Sequence, residues 1–169
     1  DDTVRKKDVY FLTDIGNYSQ TYPYHGFVNH MSPNDYVQQL KDGIGDCKSH
    51  TNTTSILMPL LFAGRQHRRK GREPLSCATF LREVDDDRNI DRLITFDAHD
   101  PGVEQAVRYT EFDNFFVSNY ILKEFINAAS KEELENIMFV SPDNGATSRA
   151  NFYLNSFNCD AIKKYFGSF

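Results

Sequence analysis

The sequence predicts a three-layer α/β domain built on a mostly parallel sheet. Two observations carry this. Three of five strand-like runs are almost continuously apolar, without the period-two alternation of a half-exposed sheet, which is the pattern of strands covered on both faces. Between these runs lie segments with apolar residues at helical spacing. Strands that alternate with helices argue for βαβ units and right-handed crossovers. At 169 residues the chain is long enough for one domain with a real core and marginal for two.

The expected elements follow in order. Residues 8–13 form the first strand. Residues 17–31, rich in Tyr, Pro, Gly and His, form a structured excursion of no assigned type. Ser32-Pro33-Asn34-Asp35 is a helix start, with Ser as N-cap and Pro at the first helical position. Val37, Leu40, Ile44 and Cys47 recur at helical spacing after it, and Gly43 and Gly45 are expected to end that helix early. Residues 55–61 read as a buried strand, 74–84 as a helix, 92–96 and 114–117 as strands, 119–129 as a helix, and 137–141 as a fifth strand.

Composition narrows the class. Hydrophobic residues make up 40% and charged residues 25%, ordinary values for a globular protein, and the formal net charge is -5. That acidic balance argues against a nucleic-acid-binding module. No apolar stretch approaches the roughly 20 residues that span a bilayer, and residues 1–7 lack the apolar core of a secretory signal. The three cysteines, Cys47, Cys77 and Cys159, are widely spaced and odd in number, so buried free thiols in a reducing compartment are expected. The chain reads as cytoplasmic.

The chemistry gathers in three loops. Arg65-Gln66-His67-Arg68-Arg69-Lys70-Gly71-Arg72 packs five Lys/Arg and one His into eight residues directly after a buried strand. Ligands of open α/β sheets bind outside the carboxyl ends of strands, and guanidinium groups match phosphate oxygens bidentately. Asp97-Ala98-His99-Asp100 follows the strand at 92–96, and Asp143-Asn144-Gly145-Ala146 follows the one expected at 137–141. Basic residues on one loop and carboxylates on two others suit a polyphosphate bridged by a divalent cation. Each motif also has a plainer reading. A basic run is often a solvated loop, an Asp at a strand end often caps a turn, and a single His is more often a hydrogen-bonded structural imidazole than a ligand. Mg²⁺ prefers oxygen donors, which makes His99 an unusual partner for it.

Taken together the motifs resemble a known family. Arg65-Gln66, the basic stretch and Arg72-Glu73-Pro74-Leu75-Ser76 are similar to the Arg-Gln-Asp…Arg-x-Pro-Ile-Ser segment of ribose-phosphate pyrophosphokinases (phosphoribosyl pyrophosphate synthetases). Leu93-Ile-Thr-Phe-Asp-Ala-His99 resembles their Val-Ile-Thr-x-Asp-Leu-His, and Ser141-Pro-Asp-Asn-Gly-Ala146 resembles their Ser-Pro-Asp-x-Gly-Gly. The order and separations also agree, Val4-Arg5 through Tyr10 is similar to their Ser-Val-Arg-Gly-x-Asp-Val-Tyr, and Asn29 to Asp35 is similar to a longer, divergent bacterial branch.

The resemblance implies a phosphoribosyltransferase-like fold and transfer of diphosphate from ATP to the 1-hydroxyl of ribose 5-phosphate, with Mg²⁺. By position, Arg65, Gln66, His67 and Arg72 would contact ATP, Asp97 and His99 the metal, and Asp143 the ribose-phosphate and metal region. It implies a homo-oligomer, a hexamer built from dimers. It makes residues 1–157 an N-terminal domain and 158–169 the start of a connection to a C-terminal one, with the Lys/Arg catalytic loop and the ribose 5-phosphate loop outside these residues. Three positions depart from the pattern: His67 stands where Asp is usual, Ala146 replaces the second Gly, and Asp100 follows the histidine where Ala is usual. A non-catalytic regulatory homologue that keeps the fold and assembly surface is the competing reading.

Overall fold

The structure is a computed structural model that describes residues 3–66, 71–86 and 89–166, with 159–166 described as backbone alone. Its elements run β1 (Asp8–Leu12), β2 (Thr21–Tyr24), β3 (Phe27–His30), α1 (Pro33–Cys47), β4 (Thr53–Leu57), α2 (Ser76–Asp86), β5 (Arg92–Phe96), β6 (Glu111–Phe115), α3 (Ser118–Ala128), α4 (Lys131–Glu135) and α5 (Thr147–Phe166). The chain divides into two compact units, residues 1–115 and 116–169.

The first unit is built on a four-stranded sheet in the order β1-β4-β5-β6, and every pairing is parallel. The α/β class and parallel sheet expected from the sequence are what the structure shows. In register, Phe11, Ile56, Leu93 and Phe112 form one row across the sheet, and they pack with Val37, Leu40 and Ile44 of α1 and Phe80, Leu81 and Val84 of α2. Burial of this row is the main stabilising term, at about 25 cal/mol for each Å² of apolar surface removed from water.

Helix α1 begins where Ser32 predicts. The Ser32 N–H donates to Asp35 Oδ2 at 2.7 Å, and the Asp35 N–H donates to Ser32 Oγ at 3.3 Å, a reciprocal capping box. The helix does not stop at the glycines but runs through Gly43 and Gly45 to Cys47. Each glycine costs a helix interior about 1 kcal/mol relative to Ala, yet the turn that contains them buries Ile44 and Cys47. At Gly43 the missing side chain is itself a packing feature, because a Cβ there would lie 2.9 Å from Phe11 Cε1.

The excursion at 17–31 is an antiparallel hairpin of β2 and β3. Its two-residue turn, His25 and Gly26, has φ of 50° and 81°, the left-handed pair that a tight hairpin with matching twist requires. The Met31 N–H donates to the Gln20 carbonyl, and the Tyr36 hydroxyl of α1 donates to the Asn17 carbonyl at 2.7 Å, which tie the hairpin base to the domain.

The second unit holds α3, α4 and α5 around a small cluster of Leu122, Ile126, Leu134 and Phe157. The strand expected at 137–141 is not formed. Ile137 and Phe139 pack against this cluster while Met138 and Val140 are 81% and 74% exposed, the alternation of an extended chain. The segment pairs with no strand among the described residues, so the ladder hydrogen bonds that define a strand are missing. Boundaries elsewhere shift by a few residues: the strand expected at 55–61 is Thr53–Leu57, and the one expected at 114–117 is Glu111–Phe115. No described helix is long and apolar enough to cross a membrane.

Candidate functional site

The carboxyl ends of β4, β5 and β6 lie side by side. Beyond the strands, the Met58 N–H donates to the Ile94 carbonyl at 2.9 Å and the Asp97 N–H donates to the Phe115 carbonyl at 3.0 Å. Parallel strands deliver the loops that follow them to one edge, so the basic loop after β4 and the Asp97–His99 loop after β5 emerge next to each other.

The basic loop is anchored before it reaches its charges. Leu61 is buried, Phe62 packs edge-on against Phe80 of α2 with ring centroids 5.3 Å apart, and Ala63 turns the chain with φ 51°. The Gln66 N–H donates to the Ala63 carbonyl at 2.7 Å. Arg65, Gln66 and Arg72 are then exposed, at the two ends of the loop. His67 lies outside the described residues, together with Arg68, Arg69 and Lys70.

Asp97 is the least ordinary residue of this edge. Its φ is 44°, in the left-handed region that L-residues avoid at a cost of roughly 1–2 kcal/mol. Its carboxylate Oδ1 is buried and has no hydrogen-bond partner among the described residues. Such an atom costs free energy until something satisfies it. The next peptide is held from β6: the Ala98 N–H donates to Asn114 Oδ1 at 2.9 Å. Asn114 Nδ2 and the hydroxyl of Thr95 are also buried and unmatched among the described residues. Thr95 and Asn114 are register partners on β5 and β6. His99 is exposed two residues beyond Asp97, and Asp100 accepts from the Gly102 N–H at 2.9 Å to cap the short 3-10 helix Pro101–Ala106.

Asp143 belongs to the second unit. It does not follow a strand, because 137–141 forms none. Its Oδ1 accepts from the Ala146 N–H at 2.9 Å and caps the 3-10 turn Asn144–Ala146 that leads into α5. Arg65, Gln66, Asp97 and His99 thus lie on loops that follow two adjacent parallel strands of the first unit, while Asp143 is held within a turn of its own. Thr95 and Asn114 were missed from sequence. For Thr95 the available signal was a polar residue within the apolar run 93–96, whereas β6, with Glu111 and Asp113 beside Asn114, offered no such contrast.

The described residues contain no cluster of three or more His, Cys, Asp or Glu side chains able to hold a metal. The unmatched Asp97 oxygen still fits a hard divalent cation. Small hard ions keep several waters and bind through one or two carboxylates plus a ligand's phosphates, and the Asp97 oxygen is of the donor type such a carboxylate supplies.

Comparison with solved structures finds the chain similar to the crystal structure of phosphoribosylpyrophosphate synthetase from Mycobacterium smegmatis, with a TM-score of 0.70 and 20% sequence identity. The match covers 93% of this chain and 47% of that one, so the chain spans about half the length of the synthetase it resembles. No protein-family model and no curated relative matches the sequence. At this identity the likeness is one of architecture: the chain has the phosphoribosyltransferase-like α/β fold found in about half of that synthetase.

Proposed function

We propose that this chain is the nucleotide-holding part of a ribose-phosphate diphosphokinase, which moves the diphosphate of ATP onto the 1-hydroxyl of ribose 5-phosphate. The observation that supports it best is Asp97, with a left-handed backbone and a buried Oδ1 unmatched among the described residues, after the strand adjacent to the one that precedes the arginine loop in a parallel sheet. That edge is where open α/β folds bind ligands, and local strain concentrates at functional sites.

In this reading Arg65 and Arg72 donate to the triphosphate oxygens and Gln66 orients the nucleotide. Mg²⁺, when bound, neutralises charge on the transferred diphosphate. Asp97 and His99 would hold it, and Asp143 would face the ribose-phosphate side. The sugar O1–Pβ bond forms as the bond from Pβ to the α,β-bridging oxygen breaks. AMP departs, and the hydroxyl proton passes to solvent. Such chemistry asks for alignment and cationic charge rather than a covalent intermediate, and this chain's residues supply charge and positioning for the donor. The parent is proposed to act as a cytoplasmic homo-oligomer, a hexamer by resemblance. A non-catalytic homologue would have no use for the strain and unmatched oxygen retained at Asp97, which favours the enzyme.

Calorimetric titration of the chain with ATP, with and without Mg²⁺, tests this. Binding that the divalent cation strengthens, with that gain lost when Asp97 is replaced, is expected. Absence of ATP binding at millimolar concentration with Mg²⁺ present would overturn the reading.

A further inference from the structure

We propose that Asn114 is a positioning residue for Asp97, whose side-chain carbonyl holds the Asp97–Ala98 peptide in the turn that presents the carboxylate. The inference rests on the reading of Asp97 as a cation ligand given above.

An L-residue at φ 44° persists only where its surroundings over-determine it. Two hydrogen bonds do so here. The Asp97 N–H donates to the Phe115 carbonyl, a continuation of the β5–β6 ladder that any residue pair can make. The Ala98 N–H donates to Asn114 Oδ1 at 2.9 Å, and this bond needs a short side-chain acceptor at position 114. Ala98 is buried, so without Asn114 its N–H would lack a partner and the peptide would gain by turning over. Turning that peptide changes ψ of Asp97 and with it the direction of the chain that carries His99.

The same residue has a second end. Its Nδ2 is buried and unmatched among the described residues, as are Asp97 Oδ1 and Thr95 Oγ1, and Thr95 is 0% exposed. An apolar residue at 95 would make a more stable sheet end, since an unmatched buried hydroxyl is destabilising. Donors and acceptors left open around one strained carboxylate are what an oriented ligand shell requires.

The test uses the 169-residue chain. Amide hydrogen exchange at Ala98 is followed by NMR in the parent sequence, Asn114→Ala and Asn114→Asp. ATP affinity is measured with Mn²⁺ and in chelator. Asn114→Ala is expected to lose Ala98 protection and to weaken the metal-dependent part of ATP binding by roughly 10–100-fold, the range for residues that orient a metal ligand. Its affinity in chelator, which depends on the arginine loop, stays unchanged. Asn114→Asp keeps an acceptor for the Ala98 N–H and is expected to restore protection and much of the metal dependence. Unchanged Ala98 exchange in Asn114→Ala overturns the proposal, and so does loss of protection in a folded Asn114→Asp. If the parent chain shows no metal-dependent ATP binding, the cation reading fails instead, and Ala98 exchange alone decides whether Asn114 holds the turn.

Discussion

Asp85 Oδ1 accepts a 2.8 Å hydrogen bond from the Thr110 backbone N–H, joining the last turn of α2 to the segment that enters β6. The Tyr109 N–H donates to the same oxygen and the Arg108 N–H to Oδ2, both at 2.8 Å, so one carboxylate collects three consecutive amides while only 2% exposed. This latch fixes where β6 begins beside β5, and therefore where Asn114 comes to rest relative to Asp97.

Removing the latch should be costly. Asp85→Ala strands three backbone donors in or near the core, at about 1–3 kcal/mol for each that finds no water, and a loss of at least 3 kcal/mol is expected in urea denaturation. Burial alone pushes the Asp85 carboxyl up, but the three amides and the Thr110 side chain together outweigh it and hold it below the usual range. A group with a depressed folded value stabilises the fold above its unfolded value, near 3.9. Its contribution is therefore complete above about pH 4–5 and lost as pH falls towards the folded value. A parent-minus-Asp85→Asn stability difference that grew on acidification would contradict this sign.

The two glycines of α1 should respond oppositely to alanine. Nothing lies within 4 Å of a Cβ built at Gly45, so Gly45→Ala should stabilise the chain by roughly 0.4–1 kcal/mol through the unfolded state and helix propensity. At Gly43 the same change pushes a methyl into the Phe11 ring, and a net loss of about 1 kcal/mol is expected from overpacking. Thermal unfolding of the two variants checks the difference, and equal shifts would be inconsistent with the packing described.

Asp97 should show a trade of stability against binding. Asn tolerates the left-handed region and carries no charge, so Asp97→Asn should raise the unfolding free energy of the ligand-free chain by about 1 kcal/mol. The same change should remove the stabilisation that ATP with Mg²⁺ confers on the parent chain. Differential scanning fluorimetry with and without ligand measures both effects, and a variant still stabilised by the ligand would show that Asp97 is not its contact.

Arg65→Ala should weaken ATP binding by about 1.5–3 kcal/mol, the range for hydrogen bonds to charged groups. Lys70→Ala is the control. An equal loss there would mark a diffuse electrostatic patch rather than a specific phosphate contact, and titration calorimetry separates the two.

The 169-residue chain by itself should form no AMP in a ribose 5-phosphate-dependent reaction. Within these residues there is no Gly/Thr-rich loop to cradle the sugar 5-phosphate, and an acceptor left unoriented forfeits roughly 7–11 kcal/mol of barrier lowering. Coupled detection of AMP with the chain checks this, and turnover by the chain would place the acceptor site here.

What was legible in the sequence is what local chemistry determines. The runs at 8–12 and 92–96 became parallel strands as their apolar content predicts, although the two-sided cover it implies is missing at β1, where Tyr10 and Leu12 are 65% and 71% exposed. Ser32-Pro33-Asn34-Asp35 announced α1 because a capping box closes within four residues. The loops bearing Arg65 and Asp97 could be assigned to one edge because parallel strands all end on the same side.

Other features were decided by tertiary contacts. Gly43 and Gly45 read as helix ends, yet the helix passes them because its last turn buries Ile44 and Cys47. Residues 137–141 have strand composition but no partner strand among the described residues, and a strand exists only as a pairing. The latch of Asp85 on Thr110 and the hold of Asn114 on Ala98 join residues 25 and 16 positions apart. No periodicity records such a bond. Its geometry is set by where two strands and a helix come to lie, and at Asp97 it gives a common strand-end aspartate a left-handed backbone and a buried Oδ1 unmatched among the described residues.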